Sequence, residues 1–170
     1  LVDGANEIGG QFNIAKRIPG KEEFHDMIAY YRRQLELRKV NLELNKKVSG
    51  ADLVNAGYDD VVLATGVLPR DPKIPGQDNP MVLSYIDVLR GKAPVGKRVA
   101  IVGAGGIGFD VAEFLVTGGH SSTLDLQEWL EEWGVVDPSE TRGGVSESGP
   151  NVPAPEREVT LLQRSAGKLG

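Results

Sequence analysis

The hexapeptide GAGGIG at residues 103–108 is the feature that most limits how this chain can fold. It directly follows an apolar run, RVAIV at 98–102, that is typical of a buried strand. The residues after it carry apolar side chains at helical spacing, namely Ile107, Val111, Phe114 and Leu115. A strand that turns through glycines into a helix is therefore predicted here.

Each glycine of this turn has a physical role in a dinucleotide site. Gly103 permits the tight turn, Gly105 lets a pyrophosphate approach the backbone, and Gly108 lets the helix pack closely on the strand. With Gly106 and Ile107, these residues would present free N–H groups and the positive end of the helix dipole to the phosphates. A purely structural glycine turn is the alternative interpretation.

Short apolar runs alternate with helical patterns along the chain, which is typical of an α/β protein with parallel strands. The predicted strands are 40–44, 59–66, 97–103 and 158–164, and the strands at 59–66 and 97–103 are expected to be buried. The predicted helices are 22–39, 83–91, the segment after Gly106, and 124–134, whose two tryptophans are expected to face inward.

The residue that follows the second strand of such a unit distinguishes NAD from NADP. An acid about 20 residues after the glycines usually binds the ribose hydroxyl. Here that distance falls at Glu128, within a helical pattern, so we interpret residues 118–157 as an insertion that displaces the second strand to 158–163. Arg164 and Lys168 then lie at or just beyond the strand tip, and cations there favour NADP(H) over NAD(H). The alternative is that Arg164 is a solvated loop residue.

The two ends of the chain share a sequence pattern. LVDGANEIGG at 1–10 and LLQRSAGKLG at 161–170 each have an apolar pair, a polar tip, a short loop and a glycine. If the second stretch ends a strand of one nucleotide-binding unit, the first ends the equivalent strand of another, with Asp3 as its ribose-binding acid. The expected fold class is therefore α/β with Rossmann-like parallel-sheet units, present as a fragment of two incomplete nucleotide-binding domains.

Composition excludes several other classes of function. The net charge is −5 and no basic run occurs, which disfavours a nucleic-acid partner. The absence of cysteine excludes a thiol nucleophile, a disulfide or an iron–sulfur site in this stretch, and with two histidines a metal site is not expected. No apolar run reaches membrane-spanning length, so we expect a soluble, cytoplasmic protein. No residue of the chain is predicted to be catalytic.

Several stretches resemble one known family. EIGGQFNIAKRIPGKEEF, VVLATGVLPR, VLSYIDVLRGKAPVGKRVAIVGAGGIGFDVAEFL and VTLLQRSAGKLG are similar to the C-terminal half of bacterial NADPH-dependent 2,4-dienoyl-CoA reductases. Trimethylamine dehydrogenase and the old-yellow-enzyme-like NADH oxidases share that architecture. The resemblance covers nearly the whole chain and is weakest across the insertion.

The resemblance implies a partial FAD-binding domain at 1–94 and a partial NADP-binding domain at 95–170. It also implies a missing N-terminal barrel of the same polypeptide that holds FMN, an iron–sulfur cluster and the dienoyl-CoA site. Residues implied to contact FAD are Asp3, Gly9, Gly10, Gln11, Val48, Ala64, Thr65 and Gly66. Residues implied to contact NADP(H) are Gly103, Gly105, Gly106, Ile107, Gly108, Arg164 and Lys168.

The expected function is electron input: hydride passes from NADPH to FAD, for onward transfer to the barrel of a 2,4-dienoyl-CoA reductase-like oxidoreductase acting on CH–CH groups. The fragment alone is expected to have no reductase turnover. Two alternatives remain, a nucleotide-binding module without chemistry of its own and an NADPH:flavin reductase of the disulfide-reductase-like superfamily.

Overall fold

The computed structural model describes residues 1–164 and 166–167 of the chain. The chain divides into two compact units, one of Leu1–Asn13 with Phe24–Val82 and the other of Ile14–Glu23 with Leu83–Gly170. The assignment of FAD to 1–94 and of NADP to 95–170 stays a prediction. The predicted phosphate ligand Lys168 lies outside the described residues.

Helices and two short strands make up the regular structure of the described residues. In chain order the elements are α1 (Phe12–Ala15), α2 (Glu23–Leu37), α3 (Gly50–Asn55), α4 (Tyr85–Leu89), β1 (Arg98–Val102), α5 (Gly106–Val116), a 3₁₀ turn (Ser122–Leu124), α6 (Leu126–Trp133) and β2 (Glu158–Leu162). The predicted helices at 22–39, 83–91 and 124–134, and the helix after the glycines, are therefore confirmed.

The second unit is built on a parallel pair of strands. β1 pairs with β2 from Arg98 opposite Glu158 to Val102 opposite Leu162, and α5 connects them as a crossover together with residues 117–157. This arrangement confirms that the second strand begins only after the long segment 118–157. The same arrangement places the carboxyl ends of both strands at one edge of the sheet.

The core of the second unit lies between α5, α4 and the segment 14–23. Its buried members are Ile14, Ile18, Val88, Leu89, Val111 and Leu115. β1 and β2 turn alternate residues towards this core and leave the others exposed, Val102 at 71% for example. The expectation that the strand at 97–103 is buried is therefore wrong for one of its two faces, because the described residues cover only the other face of the pair.

The segment 118–157 has a folded structure of its own. α6 ends at Gly134, which has a left-handed backbone with φ of 64°, and the chain then returns through an antiparallel bridge between Val135 and Val145. The N–H of Ser146 donates to the Gly134 carbonyl at 2.8 Å. Trp133 is 58% exposed, so the expectation that both tryptophans face inward is wrong for this residue.

The first unit has little regular sheet. A single parallel bridge joins Val2 to Glu43 where a strand at 40–44 was expected. Residues 59–66 form no strand, and Val62 and Leu63 are 87% and 78% exposed. A central strand exists only when neighbouring backbones accept and donate its hydrogen bonds, and the described residues of this unit provide no strand beside 59–66.

Candidate nucleotide-binding site

The glycine turn, residues 103–108, lies at the carboxyl edge of the parallel pair. Gly103 has a φ of +124°, which favours glycine, and its N–H donates to the Leu162 carbonyl at 2.9 Å. This hydrogen bond joins the end of β1 to the end of β2. The turn therefore leaves the sheet at the edge where open α/β sheets bind their ligands.

Gly108 sets the distance between helix and strand. A Cβ built on Gly108 would lie 2.0 Å from the carbonyl oxygen of Gly103 and 3.7 Å from Cδ2 of Leu161. Any side chain here would force α5 away from β1. The expectation that Gly108 permits close packing of the helix on the strand is confirmed by this contact, whereas its contact with a nucleotide stays a prediction.

The start of α5 has the geometry of an anion site. Gly105 is its N-cap, with φ of −92°, and no side chain caps the helix. A Cβ on Gly103, Gly105 or Gly106 would meet nothing within 4 Å, so the space in front of the first turn is open. The first-turn N–H groups of an α-helix have no carbonyl partner within the helix. The arrangement fits a phosphate group, which would accept from these N–H groups and from the helix dipole.

Arg164 lies two residues beyond β2 and is exposed. β2 has one acidic residue, Glu158, which lies at the opposite end of the strand and forms an ion pair with Arg98 at 3.3 Å. Residues 162–164, at the tip of β2, include no carboxylate that would repel a phosphate. The role of Arg164 towards a 2′-phosphate stays a prediction.

An ion pair that no sequence pattern indicated holds the glycine-turn helix. Lys21 Nζ lies 2.7 Å from Asp110 Oδ1, and the two side chains are 37% and 27% exposed. Asp110 is one helical turn beyond Gly106, so Lys21 holds the part of α5 nearest the turn. The two residues are 89 positions apart in the chain, and no local pattern could have paired them.

A second set of contacts ties the same segment to the residues after α5. The N–H of Gly20 donates to Ser121 Oγ at 3.3 Å and to Glu22 Oε1 at 3.1 Å, while Thr123 Oγ1 donates to Glu22 Oε2 at 3.1 Å. Desolvation raises the pKa of Glu22, but hydrogen bonds from Ser121, the nearby backbone and Thr123 outweigh it and lower the pKa below 4.5. Glu22 is therefore an ionised acceptor in this network.

In the first unit, Asp3 lies at the end of the bridged segment. Its N–H donates to the Glu43 carbonyl at 3.0 Å, and its own carbonyl accepts from the N–H of Lys46, also at 3.0 Å. The Asp3 carboxylate accepts from the N–H of Ala5 at 2.8 Å and remains exposed. The structure thus brings Asp3 to the stretch that leads to Val48, which is 38% exposed. Contact of either residue with a cofactor stays a prediction.

The remaining predicted residues of this unit form two neighbouring loops. Gly9 has a φ of +113°, and a Cβ there would lie 2.9 Å from Asn13 Nδ2 and 3.0 Å from Ile28 Cδ1. Glycine at this position is therefore required by packing. Gly10 also has a positive φ, of 51°, but its Cβ would meet open space.

The amide of Gln11 connects these two loops. Its Nε2 donates to the Val67 carbonyl at 2.9 Å, which places Gln11 beside the exposed segment Ala64, Thr65 and Gly66. The structure therefore brings together two of the motifs that were predicted to line a flavin site.

Other kinds of site find no support among the described residues. No group of three or more His, Asp or Glu side chains in 1–164 and 166–167 is arranged to hold a metal ion. Within the same residues, each helix is too short or too polar to cross a membrane.

Residues 4–165 match the family described as pyridine nucleotide-disulphide oxidoreductase. Relatives include a metal reductase of Desulforamulus reducens, 30% identical over 129 residues, covering 74% of this chain and 19% of that protein. An NADH oxidase of Thermoanaerobacter brockii is 33% identical over 133 residues, 73% of this chain and 20% of that protein. A cinnamate reductase of Clostridium sporogenes is 31% identical over 125 residues, with coverage of 73% and 18%. The chain thus corresponds to only a small part of each of these relatives.

A solved structure of 2-naphthoyl-CoA reductase in complex with 2-naphthoyl-CoA superposes on 94% of this chain and 28% of that one. Its TM-score is 0.64 and its identity is 22%, so it supports the fold alone. The family match, the parallel β1–β2 pair and the glycine turn agree on a Rossmann-like α/β fold. The chain belongs to the pyridine nucleotide-disulphide oxidoreductase family, as a flavin- and nicotinamide-nucleotide-binding oxidoreductase domain.

Proposed function

We propose that this chain binds FAD and NADP(H) and is the electron-input part of a 2,4-dienoyl-CoA reductase-like oxidoreductase. The observation that carries the proposal is the glycine turn, which leaves the carboxyl edge of the β1–β2 pair and opens an uncapped helix. Arg164 follows the neighbouring strand at the same edge.

At this edge the chain's own groups would bind the nicotinamide nucleotide. The backbone N–H groups of Gly106, Ile107 and Gly108 would donate to the pyrophosphate, and the absence of side chains at Gly103 and Gly105 would let it come close. The Arg164 guanidinium, with Lys168, would bind the 2′-phosphate through charge-assisted hydrogen bonds. Lys21 holds Asp110 and thereby the start of α5.

In the first unit, the exposed Asp3 carboxylate would accept a hydrogen bond from the ribose of FAD. Gly10 would leave space for the phosphate and ribityl part of FAD. Gln11 donates a hydrogen bond to the Val67 carbonyl and so orients the loop beside Ala64–Gly66. When both cofactors are bound, they supply the redox chemistry, a hydride leaving the nicotinamide for the flavin. The described residues bind and orient, and we assign none of them a proton-transfer role.

The acceptor is proposed from the sequence resemblance. Relatives that share this region carry names with different acceptors, a metal, bilirubin and cinnamate among them. This supports a common input part whose acceptor is determined elsewhere in the polypeptide. We propose that this other part of the polypeptide is a barrel with FMN and an iron–sulfur cluster. We also propose that the acceptor is a dienoyl-CoA, because EIGGQF and GGIGFD resemble the 2,4-dienoyl-CoA reductases most.

The decisive measurement is extraction and quantification of FMN, FAD and iron from the product of the complete reading frame, with NADPH-dependent dienoyl-CoA reduction assayed on the same sample. All three cofactors together with turnover support the proposal. FAD without FMN or iron contradicts the acyl-CoA assignment and favours a simple NADPH:flavin reductase. Turnover with NADH but not NADPH contradicts the role given to Arg164.

A further inference from the structure

One peptide bond of the first unit joins an aspartate to a glycine. It links Asp3 to Gly4, and the sequence contains no other Asp–Gly step and no Asn–Gly step. When a backbone nitrogen attacks the side-chain carboxyl carbon of the aspartate before it, a five-membered succinimide ring closes. Glycine obstructs this attack least, because it has no Cβ beside the attacking nitrogen. By sequence, Asp3 is therefore the aspartate of this chain that is best placed to form such a ring.

The structure folds the Asp3 side chain over this peptide bond. Asp3 Oδ1 accepts a hydrogen bond from the N–H of Ala5 at 2.8 Å, so the carboxyl group turns back along its own backbone. A turn of this kind encloses the intervening nitrogen, here that of Gly4. The Gly4 N–H donates to no acceptor among the residues that the structure describes, and both Asp3 and Gly4 are exposed. The attacking nitrogen and the carboxyl group are thus close together and open to water.

Three other side chains in the described part of the chain make the same turn but cannot close the ring. They are Asp71, Asn79 and Asp137, which accept from the N–H groups of Lys73, Met81 and Ser139 at 2.9, 3.0 and 2.8 Å. Each of the three is followed by a proline, whose nitrogen has no hydrogen to lose. Of these four turns, only the one at Asp3 therefore holds a carboxyl group beside a nitrogen that can attack it.

We propose that Asp3 is a site of spontaneous modification, where succinimide formation with Gly4 converts it to isoaspartate in the folded protein. The Gly4 nitrogen loses its proton and bonds to Asp3 Cγ, and the carboxyl hydroxyl takes up a proton and leaves as water. Hydrolysis then adds one water back. Cleavage between the nitrogen and Cγ restores Asp3, whereas cleavage between the nitrogen and the backbone carbonyl carbon gives isoaspartate. One water leaves and one returns, so the conversion needs no enzyme, oxidant or co-reactant.

Two hydrogen bonds on either side of Asp3 determine how often the ring can close. The Asp3 N–H donates to the Glu43 carbonyl, and the Asp3 carbonyl accepts from the N–H of Lys46, both at 3.0 Å. Rotation of the Gly4 nitrogen towards Cγ turns that carbonyl away, so the bond from Lys46 has to open first. These bonds flank a single isolated bridge, that of Val2 and Glu43. Local opening of this kind needs less free energy than global unfolding, so we expect the conversion to occur in the native protein.

Isomerisation changes the group that the first unit would present to a cofactor. Cγ of Asp3 becomes part of the main chain, which lengthens by one atom, and the negative charge moves to the former backbone carbonyl carbon. Under the proposed function, on which this consequence alone rests, the carboxylate that would accept from the ribose of FAD is then lost. The isomerisation itself involves no cofactor, so it can be tested whether or not the chain binds FAD.

The test is peptide mapping of the 170-residue chain after storage for weeks in neutral buffer made with oxygen-labelled water. Hydrolysis of the ring introduces one labelled oxygen, which mass spectrometry detects. Chromatography separates the isoaspartyl peptide from its aspartyl isomer. We expect label and isoaspartate to accumulate at Asp3 at least an order of magnitude faster than at Asp71 or Asp137, which make the same turn before a proline.

Two variants test the mechanism at this bond. In Gly4→Val the branched side chain crowds the attacking nitrogen. Gly4 does not have a positive φ, and its Cβ would meet only the Lys47 side chain, at 3.4 Å, so the turn itself can still form. Asp3→Glu keeps the charge but requires a six-membered ring, which closes far more slowly. We expect both variants to lower label uptake at residue 3 by at least an order of magnitude.

A matched substitution distinguishes a local effect from a general one. Gly96→Val adds the same side chain at a glycine whose φ is not positive and whose Cβ meets nothing within 4 Å, and it should leave conversion at Asp3 unchanged. Absence of isoaspartate at Asp3 overturns the proposal. So do equal rates at Asp71 and Asp137, or undiminished conversion in Gly4→Val. Should Gly4→Val not fold, as judged by circular dichroism, undiminished label uptake in Asp3→Glu overturns it in the same way.

Discussion

A Cβ on Gly108 would lie 2.0 Å from the Gly103 carbonyl oxygen, so α5 packs on the end of β1 with backbone against backbone. Gly103 at the other end of the turn needs its positive φ of +124°. Glycine is thus required at both ends for different reasons, a close approach at Gly108 and a left-handed conformation at Gly103. A Cβ on Gly105 or Gly106, between them, would meet nothing within 4 Å, so the space beside these two glycines is open to a ligand.

Gly108→Ala is expected to destabilise the fold. The added methyl group would force α5 off β1, and overpacking of this kind costs about 3 kcal/mol or more of unfolding free energy. Chemical denaturation followed by circular dichroism measures the change. Gly96→Ala is the matched control, because its Cβ meets nothing within 4 Å and its φ is not positive. Equal stability of the two variants would contradict the packing described above.

Gly105→Ala is expected to weaken nucleotide binding without destabilising the fold. Its φ of −92° suits alanine and its Cβ meets no protein atom, so the free energy of unfolding should stay within about 0.5 kcal/mol of wild type. The methyl group would nevertheless occupy the space of the pyrophosphate. We expect NADPH affinity to fall by at least about tenfold in a fluorescence titration. Unchanged affinity would show that the phosphates bind elsewhere.

Arg164→Ala is expected to change the choice of nucleotide. A hydrogen bond to a charged group contributes about 1.5–3 kcal/mol, so loss of the guanidinium should weaken NADPH binding roughly ten- to a hundredfold. NADH affinity should not change, since NADH has no 2′-phosphate. Arg142→Ala, another exposed arginine on the second unit, serves as control. Equal losses for both nucleotides would mean that Arg164 does not read the phosphate.

Lys21→Met and Asp110→Asn are expected to be coupled. The ion pair is 2.7 Å long and about a third exposed, so a double-mutant cycle should give a coupling energy of about 1 kcal/mol in unfolding. Lys21→Arg should retain most of it. The exposed pair of Lys97 and Glu156, at 3.5 Å, provides the comparison and should couple more weakly. Additive effects at Lys21 and Asp110 would refute a direct interaction.

Glu22 should make stability depend on pH. Hydrogen bonds lower its folded pKa below the ordinary 4.5, so its contribution is fully present above pH 4.5 and is lost as the pH falls through the folded pKa. Wild type should therefore exceed Glu22→Gln in stability at pH 7, and the difference should shrink in acid. Thermal melts of both proteins from neutral to acidic pH measure it. A difference that is constant with pH would exclude the charged form as the cause.

Local patterns in the sequence determined the helices, the glycine turn and the delayed second strand. Apolar spacing placed α2, α5 and α6, because a helix buries one side wherever it packs. The glycines at 103–108 restricted the backbone before any contact was known. The strands predicted at 97–103 and 158–164 became β1 and β2, with Arg164 past the end of β2.

Tertiary structure alone decided which of these patterns became buried. The apolar stretch at 59–66 reads as a central strand, yet Val62 is exposed because the described residues place no neighbouring strand beside it. The pair of Lys21 and Asp110, the contacts of Glu22 with the residues after α5, and the exposure of Trp133 have no local signature either. Backbone preferences are properties of a few adjacent residues and can be read from the chain. Burial of a side chain, and its pairing with a strand or a charge, depend on which distant segments of the chain pack against it. Only the folded structure shows which segments those are.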